Sequence, residues 1–334
     1  MILQEEVLIM KKRVLPVILS FSLAASFAPA AMAGETEADA YTAEAVHIAI
    51  QPSAAFVPLY YAKESGWIEE ALSDYGVEVV WNEFESGPPM NESLASGSSD
   101  IGVVGDVPIV SAVAAGQDNV MIALTCDAPL SYNLLVSPDS EIESVADLKG
   151  KKVATVVGST AHNLVSKLLG SADLSMSDIE LINISAGDVE TVLVNGEVDA
   201  AAIWEPTVTR LVDKGTAKII ATGEDCGLLG VNGMVARREF VDENPLIARV
   251  VAEQFQKGIE ALEDPDEEIY AKVAEDLTLD PEQLEAVSSK FDYKVEVAQE
   301  DIDGLNDTIE FLVSIGVLTE AFDFAPYVNA VIAD

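Results

Sequence analysis

The sequence predicts an α/β protein built as two lobes. Three observations carry this. Short β-branched runs alternate with helix-patterned runs from Val46 to Ala221. The alternation falls into two stretches of similar length. After Ala236 the pattern turns to helices alone. Strands that alternate with helices imply parallel β–α units.

The first stretch opens with a strand at Val46 to Ile50 and a helix at Phe56 to Ser65, stopped by Gly66. A strand at Val77 to Trp81 leads to a helix at Pro88 to Ser96, with prolines in its first turn, where no N–H partner is needed. A strand at Ile101 to Val104, a helix at Val107 to Ala115 and a strand at Val120 to Thr125 complete it. The second stretch has strands at Tyr132 to Val136 and Lys152 to Val157, then a helix through Leu169. Strands at Ile179 to Ile184, Val198 to Ile203 and Lys218 to Ala221 alternate with helices at Asp188 to Val194 and Thr207 to Asp213. A strand at Val231 to Ala236 precedes the helical patterns Pro245 to Leu262, Glu267 to Leu277, Pro281 to Ser289 and Asp301 to Ile315. Acidic residues fill the outward positions of these last helices, which read as a solvated covering.

Composition fits this architecture. The 334 residues are 49% hydrophobic and 23% charged, a globular balance with length for roughly two domains. Lys+Arg number 18 and Asp+Glu 58, a formal net charge of -40. Such a chain repels nucleic acid and anionic membrane surfaces. The two histidines, His47 and His162, and the two cysteines, Cys126 and Cys226, lack the clustering of a metal site, so no metal or other cofactor is expected. The cysteines could form one disulfide in an exported chain, or be two separate small core residues.

Residues 10 to 33 read as a secretory signal. Lys11, Lys12 and Arg13 form its charged start, Val14 to Phe27 its apolar run, and Ala31-Met32-Ala33 its cleavage site. Met10 is the natural start, residues 1–33 are the expected signal peptide, and 34–43 a flexible lead. The mature protein is expected outside the cytoplasm, in a periplasm.

Small and polar residues gather where strands meet helices, the place where open α/β sheets bind ligands. Gly158-Ser159-Thr160-Ala161-His162 follows a strand and opens a helix. It offers hydroxyls and free amide N–H groups to an anion without any cation, or else an ordinary helix cap. Asp106 after Gly105 is a helix cap that could also accept from a ligand amine. Trp204-Glu205-Pro206 offers an apolar wall with one polar handle. Glu205 beside an anion would be repulsive, so it must point away, bond a ligand donor or face the other lobe. A fourth loop, Glu83 to Pro89, ends at a helix start. No nucleophile elbow or P-loop motif is present, and nothing in the sequence forces catalysis.

Five ordered stretches carry a family resemblance: PLYYAKESGWIEE (58–70), VVWNEFESGPP (79–89), DIGVVGDVPIVSAVAAG (100–116), SVADLKGKKVATVVGSTAHNL (144–164) and GEVDAAAIWEP (196–206). The chain resembles the periplasmic aliphatic-sulfonate-binding proteins of ABC importers, within a wider group that binds nitrate, taurine and thiamine precursors. The resemblance implies a type II periplasmic-binding-protein fold: two α/β lobes, two hinge crossings and a ligand in the cleft. Lobe one would comprise residues 44–130 plus 231–334, and lobe two residues 131–230. The hinge strands would be Tyr132 to Val136 and Gly233 to Ala236. Cys126 and Cys226 each lie just ahead of one, which favours the disulfide slightly.

The ligand residues it implies are Gln51, Ser53 and Phe56 in the first loop, Ser86, Gly87 and Pro88 in the next, and Gly105 and Asp106. From the second lobe come Ser159, Thr160, Ala161 and His162, then Trp204 and Glu205. There are departures. Gln51-Pro52-Ser53 replaces a glycine-bearing loop, Thr160 stands for a second serine, Glu205 for Asp and Thr207 for an aromatic residue. The implied function is delivery of a small organic sulfonate to a membrane permease by a monomer that closes around it. Nitrate, taurine or a thiamine-precursor pyrimidine are the alternative ligands. An enzyme on the same fold is the rival class, against which the absent catalytic constellation counts.

Overall fold

The computed structural model describes residues 39–332. The expected signal peptide and Met10 lie outside the described residues. The strand β1 (Ala45–Ile50) leads to α1 (Val57–Glu64) and α2 (Trp67–Ser73). Sequence reading expects one helix here and misses α2, because Gly66 at φ 69° turns the chain and starts a second helix. Next come β2 (Glu78–Glu83), α3 (Gly87–Ser96), β3 (Ile101–Gly105), α4 (Asp106–Ala114) and β4 (Asn119–Asp127). The chain then passes into a second sheet through β5 (Tyr132–Val136), β6 (Lys152–Thr155), α5 (Thr160–Ser171), β7 (Glu180–Asn183), α6 (Val189–Val194), β8 (Ala200–Trp204), α7 (Thr207–Asp213) and β9 (Lys218–Thr222). It returns with β10 (Asn232–Arg237) and α8 (Arg238–Glu243). It finishes through α9 (Pro245–Ala261), α10 (Glu267–Asp276), α11 (Pro281–Ser288), the short β11 (Asp292–Tyr293) and α12 (Gln299–Ser314).

Two sheets result. The first has the order β11-β4-β10-β3-β1-β2, and the second β7-β6-β8-β5-β9. The β–α units pair in parallel, β1 with β2 and β3, and β6 with β7 and β8. The strands that arrive from the other sheet, β5 and β10, pair antiparallel on both sides. The molecule is therefore two α/β lobes joined by two crossings, between β4 and β5 and between β9 and β10.

The period of two along each strand assigns its faces. In β1, Val46, Ile48 and Ile50 join one core with Phe56, Leu59, Ile68 and Phe255, under α1, α2 and α9. Ala49 points the other way, to Met90, Leu94, Val107, Leu305 and Ile309 under α3, α4 and α12. Burial of each large side chain stabilises by about 1.5–3 kcal/mol. Two of the late helices, α10 and α11, are fixed at their starts by side-chain caps. Asp266 accepts from the amides of Glu268 (3.0 Å) and Ile269 (3.1 Å). Asp280 and Gln283 form a reciprocal capping box.

Two expectations need correction. Residues 39–43, in the expected flexible lead, are tied down: Asn244 Oδ1 accepts from the Thr42 and Ala43 amides at 2.7 and 2.8 Å. The Tyr41 ring also packs edge-on against Tyr75 at 5.6 Å. Cys126 and Cys226 are both free. Cys126 sits fully buried in β4 against the Ala55 carbonyl, whereas Cys226 turns to the carbonyl of Gly223 in the other lobe's loop.

At the end of β4, Asp127 and Asp301 share the Lys294 ammonium at 2.5 and 3.2 Å. Burial pushes the Asp127 carboxyl up to about 6, against the pull of the Lys294 hydrogen bond. Its ordinary value is 3.8, so between these the folded state keeps a proton that the unfolded state has released. The stabilisation is present at low pH and is lost as pH rises through about 6. The Asp127 contribution should favour pH 5 over pH 7 by about 1 kcal/mol. Urea melts of the wild type and Asp127→Asn at both pH values check this: the variant should lose that increment.

Candidate functional site

The two lobes face each other across the carboxyl ends of β1, β3, β6 and β8. Between them lies a small cavity of about 20 Å³, lined by Gln51, Ser53, Gly87, Gly105, Pro108, Tyr132, Ser159, Thr160, Trp204 and Asn232. Seven of the residues expected from sequence are thus brought together: Gln51, Ser53, Gly87, Gly105, Ser159, Thr160 and Trp204. They come from loops far apart in the chain, and each sits at a strand end because the parallel β–α units place all their exits on one side.

The lining contains no charged side chain. Its donors are neutral. Gln51 gives one amide hydrogen to the Val103 carbonyl at 3.2 Å and keeps a second. Among the described residues the Trp204 indole N–H has no partner. The amides of Thr160 and Ala161 lie in the first turn of α5, which has no helical carbonyl to offer them. The positive end of that helix points the same way. Other donors are already used: Ser159 Oγ donates to the Val156 carbonyl at 2.7 Å, Tyr132 Oη to Asn232 Oδ1 at 3.1 Å, Thr160 Oγ1 to Asp106 at 2.5 Å and Asn232 Nδ2 to the Gly230 carbonyl at 2.8 Å. Burial pushes the Tyr132 hydroxyl well up, so it stays protonated.

Other expected residues stand elsewhere. Asp106 does not line the cavity. Its carboxylate is buried and accepts from Thr160 Oγ1 (2.5 Å), Thr308 Oγ1 (2.6 Å), the Val107 amide (2.7 Å) and, more weakly, Asn163 Nδ2 (3.4 Å). Burial outweighs these bonds and raises its pKa. With its acceptors filled, Asp106 joins α4 and α12 of one lobe to α5 of the other. Glu205 is also fully buried and away from the cavity. It accepts from Thr209 N (2.9 Å), Thr209 Oγ1 (3.0 Å) and the Lys290 ammonium beyond α11. Of the three options open to Glu205, facing the other lobe is the one found. Phe56 and Ala161 are fully buried side chains off the cavity. Ser86 and Pro88 line a separate surface pocket with Asn183 and Asp188. His162 packs edge-on against Phe311 at 5.2 Å, and burial lowers its pKa, which keeps it neutral.

Sequence reading misses Pro108, Tyr132 and Asn232. The signal was available: Tyr132 and Asn232 are the first residues of β5 and β10, where the chain enters each lobe from the other. Further ties across the cleft are Ala54 N to the Glu205 carbonyl (3.3 Å), Gln283 to Asp213 (2.8 Å) and Lys167 to Asp307 (3.1 Å). The lobes are therefore closed on the cavity.

Comparison with known proteins bears on the family and the fold. A Bacillus subtilis (strain 168) chain that carries the name aliphatic sulfonates-binding protein is 36% identical over 200 residues, which is 60% of this chain and 60% of that one. The taurine-binding periplasmic protein of Escherichia coli (strain K12) is 26% identical over 216 residues, 64% of this chain and 65% of its own length. The chain thus matches less than two thirds of the length of these relatives. The structure of the alkanesulfonate-binding protein SsuA from Xanthomonas axonopodis pv. citri bound to MOPS superposes with a TM-score of 0.80 at 29% identity. That match covers 87% of this chain and 99% of the other, so the fold is that of type II periplasmic binding proteins. The model of the NMT1/THI5-like family matches residues 53–268, well over half of the sequence, and the protein belongs to that family.

Proposed function

We propose that the protein is an extracytoplasmic solute-binding protein that takes a small organic sulfonate into the cleft and hands it to the membrane permease of an ABC importer. The observation that carries the reading is the inter-lobe cavity with neutral donors and no charged lining residue. Hydrogen bonds to an ionised group are strong in a dry site, so a compact oxyanion is held without a cation. The family relationship and the export-signal pattern support the role and a periplasmic location. Among the described residues no helix is long and apolar enough to cross a membrane. The cavity holds no pairing of nucleophile and base, which supports binding over catalysis. The two crossings support lobe boundaries near residues 130 and 231. Gln51, Ser53, Gly87, Gly105, Ser159, Thr160 and Trp204 are the proposed ligand residues, with Tyr132 and Asn232 added.

Nitrate fits the charge of the cavity but leaves a neighbouring pocket without a role. That outer pocket, about 480 Å³, shares Trp204 with the cavity and offers a place for an organic tail. A thiamine-precursor pyrimidine is the second reading, favoured by the two aromatic residues Tyr132 and Trp204 on the cavity wall. A thermal-shift screen of residues 34–334 against alkanesulfonates, taurine, nitrate, sulfate and pyrimidines tests the choice. A ligand that binds only the folded state raises the melting temperature by mass action. Alkanesulfonates should raise it; a rise with nitrate or a pyrimidine alone would replace the ligand and keep the fold.

A further inference from the structure

The outer pocket contains a cation that the cavity does not. Most described lysines and arginines lie within 4.0 Å of a carboxylate, as expected in so acidic a chain. Lys152, Arg210, Lys218 and Lys257 do not. Lys152 is exposed, Lys218 donates to the Ser140 carbonyl and Lys257 covers the Trp67 ring. Arg210 is half-buried and lines the outer pocket, and among the described residues its guanidinium donates only to Thr207 Oγ1, at 2.8 Å. Burial lowers its pKa, against the pull of the Glu190 and Glu205 carboxylates, neither of which lies within ion-pair distance of it. A guanidinium carries five N–H donors in a fork that fits a carboxylate.

A second feature of the same pocket is backbone strain. Thr278 holds φ 58° and lines the pocket. A β-branched residue is a costly choice for that conformation, where glycine or asparagine is the usual one. The choice keeps a hydroxyl on the pocket wall, for which the described residues supply no partner. Carboxylates are present as well. Glu83 and Glu85 are exposed on the rim, where water and salt screen them, and Asp276 lies 3.6 Å from Lys63. The guanidinium is the less hydrated and less screened group.

We infer that the outer pocket is a second subsite, which recognises a carboxylate on the tail of the ligand through Arg210. This rests on the reading of the cavity as an oxyanion site. The preferred ligand is then a short sulfonate with a carboxylate at its far end: the sulfonate sits in the cavity, the chain passes Trp204, and the carboxylate meets Arg210.

The test compares propane-1-sulfonate with 3-sulfopropanoate by titration calorimetry on the wild type, Arg210→Gln and Arg210→Lys. The wild type should bind 3-sulfopropanoate about tenfold tighter or more. In Arg210→Gln the two ligands should come within about twofold of each other. Arg210→Lys should keep part of the preference, since it retains the charge and loses the fork. A wild type that binds propane-1-sulfonate and gains nothing from the carboxylate would overturn the inference and leave the sulfonate reading standing. So would an Arg210→Gln variant that keeps the preference or weakens both ligands equally. A wild type that binds neither would overturn both.

Discussion

Gly105→Ala should weaken ethanesulfonate binding by about 10- to 100-fold, the cost of overpacking a closed contact. Gly105 ends β3 in one lobe. A Cβ there would lie 2.3 Å from Thr160 Oγ1 of the other lobe, and 3.4 Å from both Asn232 Oδ1 and Tyr132 Oη. Glycine is not needed for the backbone itself, since φ −77° and ψ 174° are open to alanine. The clash is relieved by parting the lobes, or by turning the Thr160 hydroxyl away from Asp106. Either response removes closure and leaves each lobe's own core intact. Titration calorimetry should therefore show weak binding while the ligand-free melting temperature moves little. A variant that binds like the wild type would mean that closure does not bring Gly105 and Thr160 together.

Asp106→Ala should have a different signature, a loss in both stability and affinity. Thr308 lies in the same lobe as Asp106, whereas Thr160 and Asn163 lie across the cleft. Removal of the carboxylate leaves the buried Thr160 hydroxyl without an acceptor, while Thr308 Oγ1 keeps the Gly304 carbonyl (3.2 Å) and Asn163 Nδ2 keeps Thr308 Oγ1 (3.3 Å). Each buried group left unpaired costs about 1–3 kcal/mol. Release from the burial cost that raises the Asp106 pKa offsets part of this, so a net loss of about 1–3 kcal/mol is expected. Asp106→Asn keeps one acceptor oxygen and should lose less. Urea melts with and without ethanesulfonate separate the two contributions. A loss confined to the ligand-free melt would make Asp106 a brace of its own lobe rather than a tie between lobes.

The two variants also show where sequence reading succeeds and where it stops. The period-two and helical patterns placed the strand ends, and with them Gly105, Ser159 and Trp204; Gln51 and the common cleft came from the family resemblance. What they could not place was the partner of each polar side chain. Asp106 in a first helical turn reads as a cap or a ligand acceptor. Its side-chain donors are 54 to 202 residues away in sequence and meet it only after the chain has crossed between lobes once, for Thr160 and Asn163, or twice, for Thr308. Glu205 is the same case, since Lys290 approaches from the turn after α11, a helix that sequence reading treats as part of a solvated covering. Tyr132 was visible as the first residue of a hinge strand, but its side chain carries no local sign that it turns into the cleft. Local chemistry marks the donors of a site, and long-range topology decides which of them remain free for a ligand.

The central claim is that an oxyanion sits in the inter-lobe cavity and its tail in the outer pocket. A crystal structure of the protein grown with 2-bromoethanesulfonate tests this most directly, since the anomalous signal of bromine marks the tail. The account predicts the sulfonate within hydrogen-bond distance of Gln51 and the first turn of α5, with bromine on the side of Trp204 that faces the outer pocket. Bromine anywhere else, or a sulfonate held by surface lysines with the cavity unchanged, would contradict it.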